Sequence, residues 1–445
     1  MNIIIEQLVF YGATGLLVIG ILFIYIRKLR RESESVEDKI RIAKEEGTHE
    51  PVSLHPVVDV NSCIKTGACI LACPESDILG IRNGKATAIN ASRCVGHGAC
   101  FHACPTHAIT LCIGTEKRGV DLPHVSKYFE SNVKGIYIAG ELGGMGLIKN
   151  AVEQGRQATE NIAKSILQTE NADYDLIIAG AGPAGISASL TAKKLNLKAL
   201  TLEQDSLGGT VFSFPRSKIV MTSPMELPLY GKIKLQETSK KELLELWNHV
   251  LSKNNIKINE HKKIEKIQPE NGGFLVYTKE GNIFSAKRVL LAIGRRGSPR
   301  KLNIPGENLP KVAYRLIEPE LITNKNIVIA GGGDSAVESA LLLADKNRVI
   351  LSYRQNKFSR LKPKNNKKLE ETVEANKIEV ILNSNLISID EENVNIRIDT
   401  KNEILQLKND LVFIFAGGEL PAEFLKNAGI KITTKYGEAI LKHDN

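Results

Sequence analysis

Beyond Cys112 the chain contains no cysteine. All seven lie between positions 63 and 112 of 445 residues. General disulfide stapling is therefore excluded, and so is thiol chemistry by any side chain in the long downstream stretch, because exchange needs a thiolate. Tryptophan occurs once and aromatics make up only 5% of the chain. The 59 Lys and Arg residues are scattered without aromatic interleaving, so the net charge of +9 reads as a Lys-rich solvated surface and not as a nucleic-acid face. Long apolar runs are also scarce, with a single one from Leu8 to Ile26. What remains is ordinary: 42% hydrophobic and 24% charged residues suit a folded chain, and this length suits two to four domains.

The apolar run is long enough as a helix to cross a hydrocarbon core of about 30 Å. Glu6 precedes it and Arg27, Lys28, Arg30 and Arg31 follow, which is unlike a cleaved signal peptide. The positive flank predicts a single-pass membrane segment over residues 1–31, with the N-terminus outside and the rest cytoplasmic. Residues 32–52, mixed in Glu, Lys and Arg, read as a solvated stalk and not as a core element.

An internal repeat follows. Cys63, Cys69 and Cys73 recur as Cys94, Cys100 and Cys104, each displaced by 31 positions and each triplet ending in Cys-Pro. It marks residues 53–113 as one small α+β domain, with Asn83-Gly84 as a hairpin turn between Ile78–Arg82 and Lys85–Ile89. Soft thiolates at this spacing suit iron-sulfur clusters better than zinc knuckles. The stretch resembles the two-cluster bacterial ferredoxins, with Thr66 and His97 standing where a second Cys of each motif would be. The resemblance implies one cluster on Cys63, Cys69 and Cys104 and another on Cys94, Cys100 and Cys73. Each cluster could be 4Fe-4S or 3Fe-4S, and His97 is either a ligand or an exposed turn residue. Cys112, outside both motifs, reads as a buried small residue.

Two glycine-rich turns come next. The apolar strand Asp175 to Ala179 leads into Gly180, Gly182 and Gly185 and an Ala-rich helix, the context in which glycines admit a pyrophosphate at a helix N-terminus. Glu203 closes the following strand, at the distance of a ribose-binding acid. Gly331 and Gly333 repeat the design, with Ala336 at the third glycine position. The strand after this turn ends in Arg354 with no acid, and Arg360 lies six residues on. Arginine there suits a 2′-phosphate, which favours NADPH over NADH.

With Gly208-Gly209-Thr210, Ala292-Ile293-Gly294 and Ile304-Pro305-Gly306 added, residues 174–445 resemble the thioredoxin reductase-like flavoproteins, especially the bacillithiol-disulfide-reductase-like branch. The resemblance implies an α/β protein with two Rossmann-like domains, one for FAD and one for NADPH, and adds Gly209 to the flavin contacts. The expected boundaries are 171–308 for the FAD domain, 309–404 for the NADPH domain and 405–445 for a return to the FAD domain. That family's last FAD segment has no counterpart at the C-terminus. A matching Gly135-Ile136-Tyr137-Ile138-Ala139-Gly140-Glu141 lies upstream, so residues 114–170 read as a circularly permuted piece with Glu141 facing the flavin. The family's thiol pair is missing, because Arg315 and Glu318 occupy its two positions. The resulting expectation is a membrane-anchored oxidoreductase moving electrons between NADPH, FAD, two clusters and an unidentified protein or small-molecule partner. No catalytic side chain stands out, and the direction of flow and the oligomeric state, a homodimer included, stay open. A membrane redox sensor without turnover and a reductase acting on an unknown disulfide are the alternatives.

Overall fold

The computed structural model describes residues 2–443 except 52–53, 76, 95, 97, 145, 168–170, 213–218, 222–223, 235–236, 296–297 and 360. Two expected site positions, His97 and Arg360, thus lie outside the described residues. The chain divides into two compact units, Met1–Lys117 with Gly437–Asn445, and Arg118–Tyr436.

The first unit begins with one helix, Asn2–Glu46. Its apolar segment is bare, with Leu16 73% and Ile24 70% exposed. The same helix then docks on a small α+β body. Val36, Ile40 and Ala43 recur at the i, i+4, i+7 spacing of a helix face, and they pack with Ile89. Ser33 Oγ donates to Asn83 Oδ1 at 3.0 Å and Lys39 pairs with Asp77 at 2.6 Å. Thr48, fully buried just past the helix, donates to Asn90 Oδ1 at 2.7 Å. The solvated stalk expected over residues 32–52 is therefore corrected. Its apolar side chains are spread among charged ones, but the helical period gathers Val36, Ile40 and Ala43 into one stripe against Ile89.

That body carries the hairpin Leu79–Arg82 and Lys85–Ala88, whose two turn residues Asn83 and Gly84 have φ of 50° and 76°. Positive φ at both positions matches the twist of the flanking strands, which explains Asn-Gly. A three-stranded antiparallel sheet joins His55–Val58, Ile109–Ile113 and, from the far end of the chain, Glu438–Leu441. Residues 405–445 thus do not form one return to the flavin-type sheet. Leu411–Ile414 lies in the second sheet of the other unit, and only the stretch that follows it packs back, with Leu425, Ala428 and Ile430 in the first core.

The second unit contains two parallel-rich sheets. In the first, the order is Ile258–Asn259, Ala199–Leu202, Tyr174–Ala179, Ile283–Leu291, Gly273–Thr278, Ile264–Glu270, and Ile136–Ile138 also pairs parallel with Ile283–Leu291. Central strands such as Leu176–Ile178 are completely buried, with Ala158, Ile162, Ala184 and Ala188 of two helices against one face and Leu142, Leu425 and Ile430 in the core on the other. The second sheet runs Val312–Ala313, Leu411–Ile414, Asn326–Ala330, Arg348–Tyr353, Ile378–Leu382, followed in sequence by a three-stranded meander over Ser384–Lys408.

Candidate functional site

Six cysteines of the first unit form two groups. Cys63, Cys69 and Cys104 line one cavity together with Thr66, Ile81, Ala86 and Ile109. Burial raises the Cys69 thiol pKa, and the neighbouring Cys104 and Cys63 raise it further. In the other group, burial pushes Cys94 up to about 11, and it pushes Cys100 up to about 12 with help from Cys94 and Cys73. Free thiols at these positions stay protonated at neutral pH, and a nearby cationic metal centre would reverse that. At Cys104 burial also acts upward, but hydrogen bonds from Thr106 and the amides of Ala108 and His107 outweigh it and hold the pKa below the ordinary value. Backbone amides are aimed at sulfur: Ala86 N at Cys63 (3.4 Å), Gly96 N at Cys94 (3.4 Å) and Ala108 N at Cys104 (3.3 Å). Such donors stabilise anionic sulfur and tune a cluster's potential. Thr66 stands exposed at the cavity wall. Among the described residues no three His, Cys, Asp or Glu side chains converge as they would on a single ion. Cys112 is buried, opposite Ala439 and His55 in the sheet.

The first sheet of the second unit brings four strand ends into line. Leu202, Ala179, Leu291 and Ile138 are consecutive partners across the strands. The residues just beyond them must therefore share the carboxyl edge of the sheet, where open α/β folds bind ligands. Those residues are Glu203, the Gly180–Gly185 turn, Ala292–Gly294 and Gly140–Glu141. Gly180 has φ of 100°, and a Cβ on it would sit 2.6 Å from the Ala292 carbonyl oxygen, so only glycine serves. At Gly185 a Cβ would overlap the Gly180 carbonyl. The Gly208 amide donates to Ala181 O at 3.0 Å, which lays Gly209 against Gly182. The Glu203 carboxylate is buried and accepts from Ala181 N at 2.7 Å and Asp205 N at 2.9 Å. Burial raises its pKa. Glu141 Oε2 faces Gly294.

In the second sheet the same construction recurs. Gly331 N bonds Ser352 O at 3.0 Å, and a Cβ on Gly331 would lie 2.7 Å from Phe415 O. Gly333 caps the helix Asp334–Leu343, and Ala336 is wholly buried in it. The Tyr353 ring covers Gly332 and stacks on Phe358 at 5.1 Å, with Arg354 exposed beside it. Arg315 reaches Asp205 at 3.0 Å, and Glu318 lies exposed near the short turn Pro319–Leu321.

Sequence reasoning missed two features. Glu307 is buried and gathers the amides of Leu302 and Asn303 at 2.7 Å each and the Tyr314 hydroxyl at 2.8 Å. Its position directly after Ile304-Pro305-Gly306 was the available signal. The other is His443, whose ring is stacked between Phe101 (3.6 Å) and His107 (4.0 Å). No local pattern announces that contact across so much sequence.

The family of pyridine nucleotide-disulphide oxidoreductases matches residues 177–444, and the 4Fe-4S dicluster domain matches residues 55–105. Bacilliredoxin reductase Bdr of Bacillus subtilis (strain 168) is 27% identical over 274 residues, covering 60% of this chain and 84% of that protein. A ferredoxin–NADP reductase of Rickettsia rickettsii (strain Iowa) is 28% identical over 276 residues, covering 59% and 78%. The solved bacillithiol disulfide reductase Bdr from Bacillus cereus is similar in fold, with a TM-score of 0.52 and 26% identity over 58% of this chain and 82% of that one.

Proposed function

Since this chain belongs to the pyridine nucleotide-disulphide oxidoreductase family and is an NAD(P)H-dependent flavoprotein oxidoreductase carrying a 4Fe-4S dicluster domain, we propose that it is a membrane-anchored enzyme exchanging electrons between NADPH and a redox partner through FAD and two iron-sulfur clusters. One observation carries this reading. A glycine-built nucleotide cradle and two sets of gathered thiols share a chain that has no cysteine beyond Cys112, so a flavin-adjacent thiol cannot be the exit.

The residues present fit these groups. Gly182, where a Cβ would meet no protein atom, leaves open backbone surface for a pyrophosphate at the N-terminus of the helix Pro183–Lys194, while Gly180 and Gly185 keep the turn tight and Gly209 lies against Gly182. Glu203 would turn from the Ala181 amide to a ribose hydroxyl, and Glu141 would face the flavin ring. Gly331, Gly333 and Ala336 would hold the NADPH pyrophosphate, with Arg354 and Arg360 at its 2′-phosphate. Cys63, Cys69 and Cys104 would hold one cluster and Cys73, Cys94 and Cys100 the other, with His97 the candidate fourth ligand of the second. A flavin held there would supply the exchange between the two-electron chemistry of a nicotinamide and the one-electron chemistry of the clusters, in either direction. The amides aimed at Cys63, Cys94 and Cys104 would stabilise negative charge on thiolates that hold a cluster. Thr66 leaves the first cluster with three protein thiolates, which favours 3Fe-4S or an exchangeable fourth iron there.

Two further elements belong to the proposal. The pairing of Ile136–Ile138 with the strand Ile283–Leu291 supports a circularly permuted FAD domain, since the family match begins only at residue 177. The bare apolar segment before Arg27 supports a single-pass anchor with the domains on the cytoplasmic side. Replacing Cys63, Cys69 and Cys73 with Ser tests the route. NADPH should still bleach the flavin while delivery to an external cytochrome collapses. Unchanged delivery, or brisk disulfide reduction by the intact chain, would contradict it.

A further inference from the structure

The helix Asn2–Glu46 does more than tether the first unit, because it runs without a break from the apolar segment to the surface on which the cysteine body is docked. Successive contacts along it give the body a direction. Nearest the apolar segment, Ser33 bonds Asn83 in the hairpin turn. Val36 then meets Gly80, Lys39 meets Asp77, and Ile40 and Ala43 meet Ile89. Last, Thr48 binds both Asn90 and the Ser92 amide. The hairpin is thus laid along the helix with its turn toward the apolar end.

The two thiol groups inherit this order. Cys63, Cys69 and Cys104 share their cavity with Ile81 and Ala86, a cross-strand pair next to the turn, and Lys85 Nζ donates to Cys63 O at 2.8 Å. Cys94 follows the short turn Ala91–Arg93, whose Ser92 is fixed to Thr48 at the other end. At 1.5 Å per residue, Ser33 lies about 10 Å and Val36 about 15 Å beyond Ile26, whereas Ala43 lies about 25 Å beyond it. A headgroup layer is on the order of 5–7 Å thick, and helix tilt only shortens the distances along the membrane normal.

We infer that the helix is a rigid strut that holds the cysteine body against the membrane, with the Cys63/Cys69/Cys104 group facing anionic phospholipid headgroups and the Cys73/Cys94/Cys100 group turned away. The inference rests on the membrane-anchor reading. Its docking surface is the turn side of the body: Ile64, 63% exposed, and the exposed Thr66, with the half-buried Lys65 between them and Lys85 held at Cys63 O, while Arg82 lies 3.9 Å from Glu37 of the helix. Lys65 and Lys85 add to the basic flank of Arg27, Lys28, Arg30 and Arg31, which suits a negatively charged leaflet.

Trp247 is the only tryptophan and is fully buried, so a new tryptophan reports its own surroundings. The full-length, cluster-loaded chain is reconstituted in vesicles containing brominated anionic phospholipid, with Ile64→Trp or Thr66→Trp as probe and His49→Trp as distal control. Ile64→Trp should lose most of its emission and His49→Trp should keep it. Thr66→Trp serves if Ile64→Trp loses iron. The unsubstituted chain gives an independent reading: amide exchange over residues 61–67 should slow in anionic nanodiscs relative to zwitterionic ones, and that over residues 47–50 should not. Chain that does not float with vesicles overturns the anchor and the inference together. Chain that floats but shows equal emission for the two probes and equal exchange in the two lipids overturns the strut alone.

Discussion

Glu307 shows how one carboxylate organises a loop. Its burial alone would raise its pKa, but the amides of Leu302, Asn303 and Ile304 and the Tyr314 hydroxyl outweigh that and lower it, while Tyr314 is pushed up to about 12. A lowered folded pKa means that the stabilisation is complete above the unfolded value of about 4.3 and is lost as the pH falls through the folded one. Glu307→Gln should therefore cost about 1–3 kcal/mol at pH 7, and the gap to the parent should close in acid denaturation below about pH 4. A gap independent of pH would assign the loss to shape instead of charge. At the nucleotide turns, Arg354→Ala should raise KM for NADPH more than for NADH, and equal rises would remove the 2′-phosphate contact. Glu203 was legible because its spacing from the glycine turn is fixed by one helix and one strand. For Glu307 only its place after Ile304-Pro305-Gly306 was visible, because its role depends on amides that converge only after the loop has closed.

Among elements, the helix Ile148–Ser165 packs closest to the glycine-turn helix Pro183–Lys194 at Gly155, where a Cβ would overlap the Ala184 carbonyl. A backbone carbonyl cannot move aside as a side chain end can. Gly155→Ala should destabilise the second unit by about 1–3 kcal/mol and weaken FAD retention, whereas Gly143→Ala, where the nearest atom is Ile138 Cγ2 at 4.0 Å, should do neither. Full flavin content in Gly155→Ala would detach this helix from the flavin-type fold and weaken the permutation. The strand Ile136–Ile138 could be read in advance, because a short apolar run between glycines is a local signal. The docked half of the N-terminal helix could not, since a few apolar residues scattered among charges look solvated until a partner face exists.

At the scale of the molecule, the C-terminal segment returns to the cysteine unit. Glu438–Leu441 zips onto Ile109–Ile113, and His443 stacks between Phe101 and His107. Deleting residues 437–445 should lower iron per chain while leaving FAD in place, as absorbance and metal analysis would show; unchanged iron would make the tail dispensable. The cysteine repeat and both glycine turns were readable because each is local chemistry at fixed spacing, whereas a strand contributed from over three hundred residues away leaves no local trace. The central claim is that one chain couples nicotinamide, flavin and clusters. Anaerobic titration of the intact, reconstituted protein with NADPH, followed by absorbance and EPR, tests it most directly. The expected result is flavin bleaching accompanied by EPR changes from both clusters. A bleached flavin with EPR signals unchanged to the end of the titration, or a protein that binds zinc without sulfide, would contradict it.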